Sequence, residues 1–184
     1  MSELKIRDCN FKFNDGRKMT FNDAFVAGAN YWPVAGTDTH INQDYNPSSH
    51  KGVDIIPAGN GIVAHQDGTV IYTYNGCPHI NDMNDTCNAG TGFGSFGNCV
   101  LIRHIDGHYS FYAHLQQGSI LVGTNQAVYA GQKLATMGSS GMASGIHLHF
   151  ETRTGNYPAT AYSNLTPHDP NDYLNTATKL SQPI

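Results

Sequence analysis

Asn98-Cys99-Val100-Leu101-Ile102-Arg103-His104-Ile105-Asp106-Gly107-His108-Tyr109-Ser110-Phe111-Tyr112-Ala113-His114 is the stretch that decides the fold. Residues 98–104 and 109–114 are rich in β-branched and aromatic side chains, and Asp106-Gly107 stands between them. Asp-Gly tolerates the positive φ of a tight turn, so the stretch reads as an antiparallel hairpin. Outward from it the pattern recurs. Residues 61–64 and 68–74 flank Asp67-Gly68, a second hairpin signal, and 127–129, 133–137 and 146–152 read as further strands. Between 53 and 155 no helical periodicity of useful length appears, so the expected fold is all-β with antiparallel sheets.

The chain has 184 residues, enough for one domain with a proper core. Charged residues make up only 13%, and 20 Gly and 10 Tyr accompany them, which suits a β-rich extracellular or periplasmic domain. A net charge of -4 argues against nucleic acid as a partner. No run approaches the length of a membrane span. Met1-Ser2-Glu3-Leu4-Lys5-Ile6-Arg7 lacks the apolar core of a secretory leader. That leaves three routes: a leader already removed, a segment of a longer protein, or another means of export.

Residues 1–30 read as an N-terminal extension and 31–184 as the main domain. Phe11-Lys12-Phe13 with Asn14-Asp15-Gly16 predicts a small hairpin, and Thr20-Phe21-Asn22-Asp23 with Gly28 predicts a short helix over 21–27. Trp32-Pro33-Val34 opens a loop-rich stretch to His50, and Asp169-Pro170-Asn171-Asp172-Tyr173-Leu174 predicts one turn of helix. Residues 76–97 read as an inserted loop beside the site. Its Gly-rich end lacks the Gly-Lys-Ser/Thr close of a phosphate loop. The four cysteines form no C-x-x-C pair, which argues against a cysteine-ligated zinc. Cys77 and Cys87 bracket part of the inserted loop and predict a disulfide in an oxidising compartment.

The chemistry lies in two motifs. In His147-Leu148-His149, strand alternation turns both imidazoles to one face. His50-Lys51-Gly52-Val53-Asp54 supplies another imidazole and a carboxylate. Two or three imidazoles with one carboxylate is the ligand set of a hydrolytic zinc that keeps a coordination position open. Spacing does not say which of His147 and His149 binds the metal.

A third motif, Tyr112-Ala113-His114-Leu115, completes a pattern that resembles the lysostaphin-type zinc endopeptidases, the group containing LytM and zoocin (peptidase family M twenty-three). The likeness runs from Trp32 to Leu174. It includes Gly97-Asn98-Cys99-Val100-Leu101-Ile102-Arg103-His104, Val128-Tyr129-Ala130-Gly131-Gln132-Lys133-Leu134, Gly138-Ser139-Ser140-Gly141 and Ser144-Gly145-Ile146-His147-Leu148-His149-Phe150-Glu151. The resemblance implies antiparallel sheets around an open groove with one zinc per chain at its floor. It implies His50, Asp54 and His149 as metal ligands, and His114 and His147 as the catalytic pair. Within that pair His147 is assigned as general base and later acid and His114 to orienting the water and stabilising the tetrahedral intermediate, although either imidazole is able to take either role. The implied substrate is the peptide of bacterial peptidoglycan, acted on by a monomer. The resemblance also covers inactive domains that activate other wall hydrolases, which typically lose ligands or catalytic histidines; here all five positions are kept. A component of a larger assembly, such as a phage tail tip, is a third reading. The bond cut is not legible.

Other positions carry weaker expectations. Tyr112 shares the expected face of His114 and is a candidate substrate contact. Asn98 is a candidate hydrogen-bonding group near the zinc. Glu151, on the side of His149, is either support for that ligand or solvent-exposed. His104 and His108 flank a turn and are expected on the surface, and His65 is expected to be structural. His40, His79 and His168 fall in loops, with His40 or His79 able to line the cleft.

Overall fold

The structure is a computed structural model that describes residues 10–12, 18–20, 29–56, 59–78, 80–85, 87, 92–157 and 162–184. Its strands are β1 (Asn10–Lys12), β2 (Lys18–Thr20), β3 (His40–Gln43), β4 (Val53–Ile56), β5 (Gly61–Val63), β6 (Gly68–Tyr74), β7 (Asn98–His104), β8 (His108–Leu115), β9 (Ala127–Val128), β10 (Lys133–Thr136), β11 (Leu148–Thr154) and β12 (Thr166–His168). A 3-10 turn covers Tyr162–Asn164, and a single helical turn, α1, covers Asn171–Leu174.

An eight-stranded sheet dominates, in the order β3-β4-β11-β8-β7-β6-β9, with β12 paired to β11. Every pairing in it is antiparallel. The central β7–β8 hairpin turns where expected, and Gly107 takes φ 90° there. β1 and β2 pair antiparallel, as the predicted hairpin requires. The helix expected over 21–27 lies outside the described residues.

One expected pairing fails. β5 and β6 do not form the hairpin that Asp67-Gly68 suggests. β5 pairs with β10 in a separate small sheet, while β6 pairs with β7 and β9. The 129–132 turn takes up the backbone of Ala64 instead, through Gly131 N to Ala64 O and Ala64 N to Gln132 O. β3 was not foreseen, because His40-Ile41-Asn42-Gln43 has no β-branched run; its partner β4 draws it into the sheet.

Alternation gives the large sheet two faces. Val53, Ile55, Val100, Ile102, Tyr112, Leu148 and Phe150 face the larger core, which also contains Ile62 of β5 and Leu134 of β10. Each such burial is worth roughly 1.5–3 kcal/mol. The opposite face carries a second cluster, in which Cys99, Leu101, Tyr109, Phe111 and Ala113 meet Phe93, Tyr162 and Leu165. Asp54 also points to this second face, between core-facing Val53 and Ile55. It and the neighbouring His50 and His147 remain partly exposed, so the groove lies there.

Candidate metal centre

Two neighbouring strands build the centre. Leu148 and Phe150 face the core, so His149 and Glu151 turn to the groove face with Asp54. The register sets His149 opposite Asp54. His149 Nδ1 lies 2.9 Å from Asp54 Oδ1. His50 arrives from a turn in which Asn46 Oδ1 accepts from the backbone of Ser48 and Ser49. Its Nε2 lies 3.1 Å from Asp54 Oδ1 and 3.2 Å from His149 Nδ1. Only glycine fits between the two motif residues, because a Cβ at Gly52 would stand 2.4 Å from Phe150 O.

His114 reaches the same place by breaking alternation. Two residue steps along β7, from Asn98 to Val100, match three along β8, from Leu115 to Tyr112. His114 absorbs the extra position with φ 59°, in the left-handed region. Ala113 stays with the aromatic cluster and Leu115 returns to the core. The His114 ring centroid lies 4.8 Å from that of His147 and 6.0 Å from that of His149. His147 Nε2 is 3.8 Å from Asp54 Oδ2.

Each imidazole has one nitrogen occupied. His50 Nδ1 donates to Asp44 O at 2.9 Å, His114 Nδ1 to Ser140 O at 2.7 Å and His147 Nδ1 to Gly145 O at 2.9 Å. A carbonyl can only accept, so in each neutral ring Nε2 carries the lone pair. His149 is reversed: Nε2 bonds Glu151 Oε1 at 2.9 Å and Nδ1 faces His50 and Asp54. Two imidazole nitrogens and a carboxylate oxygen thus converge within 4.8 Å of one another. Donor types, spacing and tautomers all fit a three-ligand zinc site with an open position.

The electrostatics match. Burial pushes His149 down, but its bonds to Asp54 and Glu151 outweigh this and bring it up to about 9. A proton there stands in for the cation that the carboxylates favour. Burial raises Asp54, yet the bond and charge of His149 and the charges of His147 and His50 hold it below its ordinary value. His114 is driven down to about 3 by burial and by the charges of His149 and His147, so it stays neutral.

Tyr112 and Asn98 do not reach the groove. The bulge at His114 leaves Tyr112 on the core face, fully buried, where its hydroxyl accepts from His65 N at 2.8 Å. Asn98 is also fully buried: its side chain accepts from Cys77 N and donates to Cys77 O and Leu115 O. It ties the inserted loop to the end of β8. Cys77 and Cys87 are disulfide-bonded. His104 and His108 are buried rather than at the surface, 3% and 2% exposed, because Ile105 takes the outward position of their turn. They lie with His65 on the core face. His168 belongs to β12, His40 is exposed on β3, and His79 lies outside the described residues.

Glu151 resolves toward support of His149, since it is fully buried. Three residues near the candidate ligands went unread in the sequence. Phe96 stacks on the His149 ring at 5.3 Å and accepts the His114 backbone N–H at 3.0 Å. Arg153 Nε and Tyr162 OH both donate to Glu151 Oε2. Arg153 had a legible signal, because it alternates with His149 and Glu151 on one strand; Tyr162 and Phe96 had none.

Comparison with known proteins gives the family and the fold. "Murein hydrolase activator NlpD" of Salmonella typhimurium is 38% identical over 125 residues, covering 66% of this chain. The chain spans about a quarter of that relative's length (27%). A zinc-containing peptidase from Vibrio cholerae matches 87% of this chain and 44% of its own, with TM-score 0.55 and 25% identity. The catalytic domain of the prophage-encoded protein EnpA from Enterococcus faecalis shares the fold, with TM-score 0.55 and 24% identity over 78% of this chain and 97% of its own. The pattern of Peptidase family M23 matches residues 48–161, more than half of the chain, and the matched span contains His50, Asp54, His114, His147 and His149. With its antiparallel sheet and the five side chains gathered on one face, the chain belongs to Peptidase family M23.

Proposed function

We propose that this chain is a zinc-dependent endopeptidase that cuts peptide bonds of bacterial peptidoglycan in the cell envelope or outside the cell. The convergence of His50, Asp54 and His149 beside the His114–His147 pair carries the reading. Zinc, when held by those three ligands, polarises the scissile carbonyl and acidifies the attacking water. His147 Nε2 accepts the water's proton, with its Nδ1–H anchored on Gly145 O. The nearby Asp54 carboxylate stabilises the imidazolium so formed. His147 then hands the proton to the leaving amine. His114, neutral and anchored on Ser140 O, offers its Nε2 lone pair to orient the water. That tautomer presents no N–H toward the groove, so stabilising the oxyanion falls to protonated His147 rather than to His114.

A second reading is favoured by the relatives named murein hydrolase activators. In it the domain binds and stimulates another wall hydrolase without cutting. Digestion of whole peptidoglycan by the pure, zinc-loaded protein separates the two. The endopeptidase creates new amino termini within stem or bridge peptides, with no new reducing sugar ends. No release from several wall types, with zinc bound, rejects cutting and leaves the activator role. Release of intact stem peptides indicates an amidase instead.

A further inference from the structure

Glu151 is a carboxylate with no exposed surface, set among aromatic side chains. Its Oε1 takes the Nε2–H of His149, and its Oε2 takes Arg153 Nε and Tyr162 OH. Arg153 is itself pinned: Nη1 donates to Leu165 O at 2.8 Å, and the guanidinium carbon sits 4.3 Å from the Tyr162 ring centroid. Tyr162 stacks on Phe93 at 4.7 Å. Stability alone does not call for such a chain, since buried ion pairs are often replaced by apolar residues of similar volume at no loss.

What apolar residues could not do is choose an orientation for His149. An imidazole has two nitrogens, and only Nδ1 can face both His50 Nε2 and Asp54 while Nε2 is tied behind. Phe96, stacked on the ring at 5.3 Å, limits tilt about that axis. Arg153 and Tyr162 in turn leave the Glu151 carboxylate one position. We propose that Glu151, locked by Arg153 and Tyr162, is a positioning residue that keeps His149 Nδ1 aimed at the metal and so sets the metal affinity of the site. This rests on the reading of His50, Asp54 and His149 as zinc ligands.

Zinc affinity, measured by chelator competition on the full chain, tests it alongside the melting temperature of the metal-free protein. Glu151→Leu combined with Arg153→Met and Tyr162→Phe removes the carboxylate, the guanidinium and the hydroxyl together, so that only the His149 Nε2–H and Leu165 O lose a partner. Its zinc affinity should fall about 10- to 100-fold, the usual range for loss of such support, with the metal-free melting temperature near that of wild type. Glu151→Gln keeps an acceptor oxygen for His149 Nε2–H and should recover part of the affinity. The absorption spectrum of the cobalt(II)-substituted triple variant should differ from that of wild type, and that of Glu151→Gln should lie between them. Unchanged affinity in the triple variant overturns the proposal. So does an affinity loss in Glu151→Gln that merely follows a fall in its metal-free melting temperature, because the role is then structural. A wild-type protein that binds no zinc in the same competition rejects the ligand reading itself, and the inference with it. Zinc binding in wild type with no difference among variants rejects the positioning role alone.

Discussion

The two faces of the large sheet each hold a histidine cluster, and they put the same side chain to opposite use. On the groove face His50, His147 and His149 surround the carboxylate of Asp54. On the core face His104 stacks on His108 at 4.3 Å, His65 stands 6.5 Å from His108, and Tyr173 of α1 stacks on His108 at 4.5 Å. Among the described residues, no carboxylate sits at the centre of that group. Asp106 touches only its rim, through His108 Nδ1. Burial pushes His65 down to about 4 and His104 to about 3, and it lowers His108 despite Asp106. A gathering of imidazoles is therefore not a metal site by itself. A central carboxylate separates the two clusters, since His65 and His104 also donate Nδ1 to backbone carbonyls, of Tyr31 and Asp67.

The widest test removes the centre of one cluster and leaves the other. Asp54→Ala should release zinc and abolish hydrolysis, while His65→Phe on the opposite face should leave zinc content unchanged. Metal analysis after native purification reads both, and zinc loss in His65→Phe would break the separation of the faces.

Within the groove, His147→Ala and His114→Ala should keep zinc yet lose roughly 10²–10⁴ in turnover, as expected for a general acid–base group or its water-orienting partner. Loss of metal from either folded variant would move that histidine into the ligand set.

The core-face cluster should act on stability rather than activity. An unfolded chain protonates His65 and His104 near 6.5, whereas the folded chain resists until about 4 and about 3. Their contribution is complete above pH 6.5 and is lost as pH falls through that window. The loss is on the order of a few kcal/mol in total, given coupling between the rings. In metal-free protein, Asp54 and Glu151, held below their ordinary values, add acid sensitivity mainly below pH 4.5. His149, raised to about 9, loses its contribution only as pH climbs. His114, also held down to about 3, loses its contribution over the same window, so urea unfolding of metal-free His114→Ala protein between pH 6.5 and 4.5 isolates the core-face rings. A flat profile there would show that they do not stay neutral.

The smallest effect belongs to the Cys77–Cys87 disulfide, which closes a short loop tied to Asn98. Replacing both cysteines with alanine should cost about 2–3 kcal/mol of unfolding free energy and leave the acid window of the other face in place. A shift of that window would link the loop to the wrong cluster.

Much of this was legible because strand alternation is local. The β7–β8 hairpin announces itself in β-branched runs around Asp106-Gly107, and His147-Leu148-His149 shows its shared face within three residues. Errors arose where distant segments compete. Asp67-Gly68 looks like a hairpin turn, but residues 129–132 capture the backbone of Ala64. Tyr112 was placed beside His114 by simple alternation, which a single left-handed residue undoes. His104 and His108 looked exposed beside a turn, and only packing against His65 and the late helix α1 buries them.

By itself, then, the sequence determined the antiparallel β class, the donor types of the centre and the family, since each is carried by residue chemistry and short-range periodicity. Tertiary structure alone decided that Asp54 lies opposite His149, that His149 offers Nδ1 because Glu151 holds Nε2, and that Arg153 and Tyr162 lock Glu151. The reason is physical. A ring nitrogen is aimed by whatever acceptor lies behind it: for His50 and His114 that is a carbonyl of another segment, Asp44 or Ser140, and for His149 it is Glu151 of the same strand, itself fixed by Tyr162 from a distant turn.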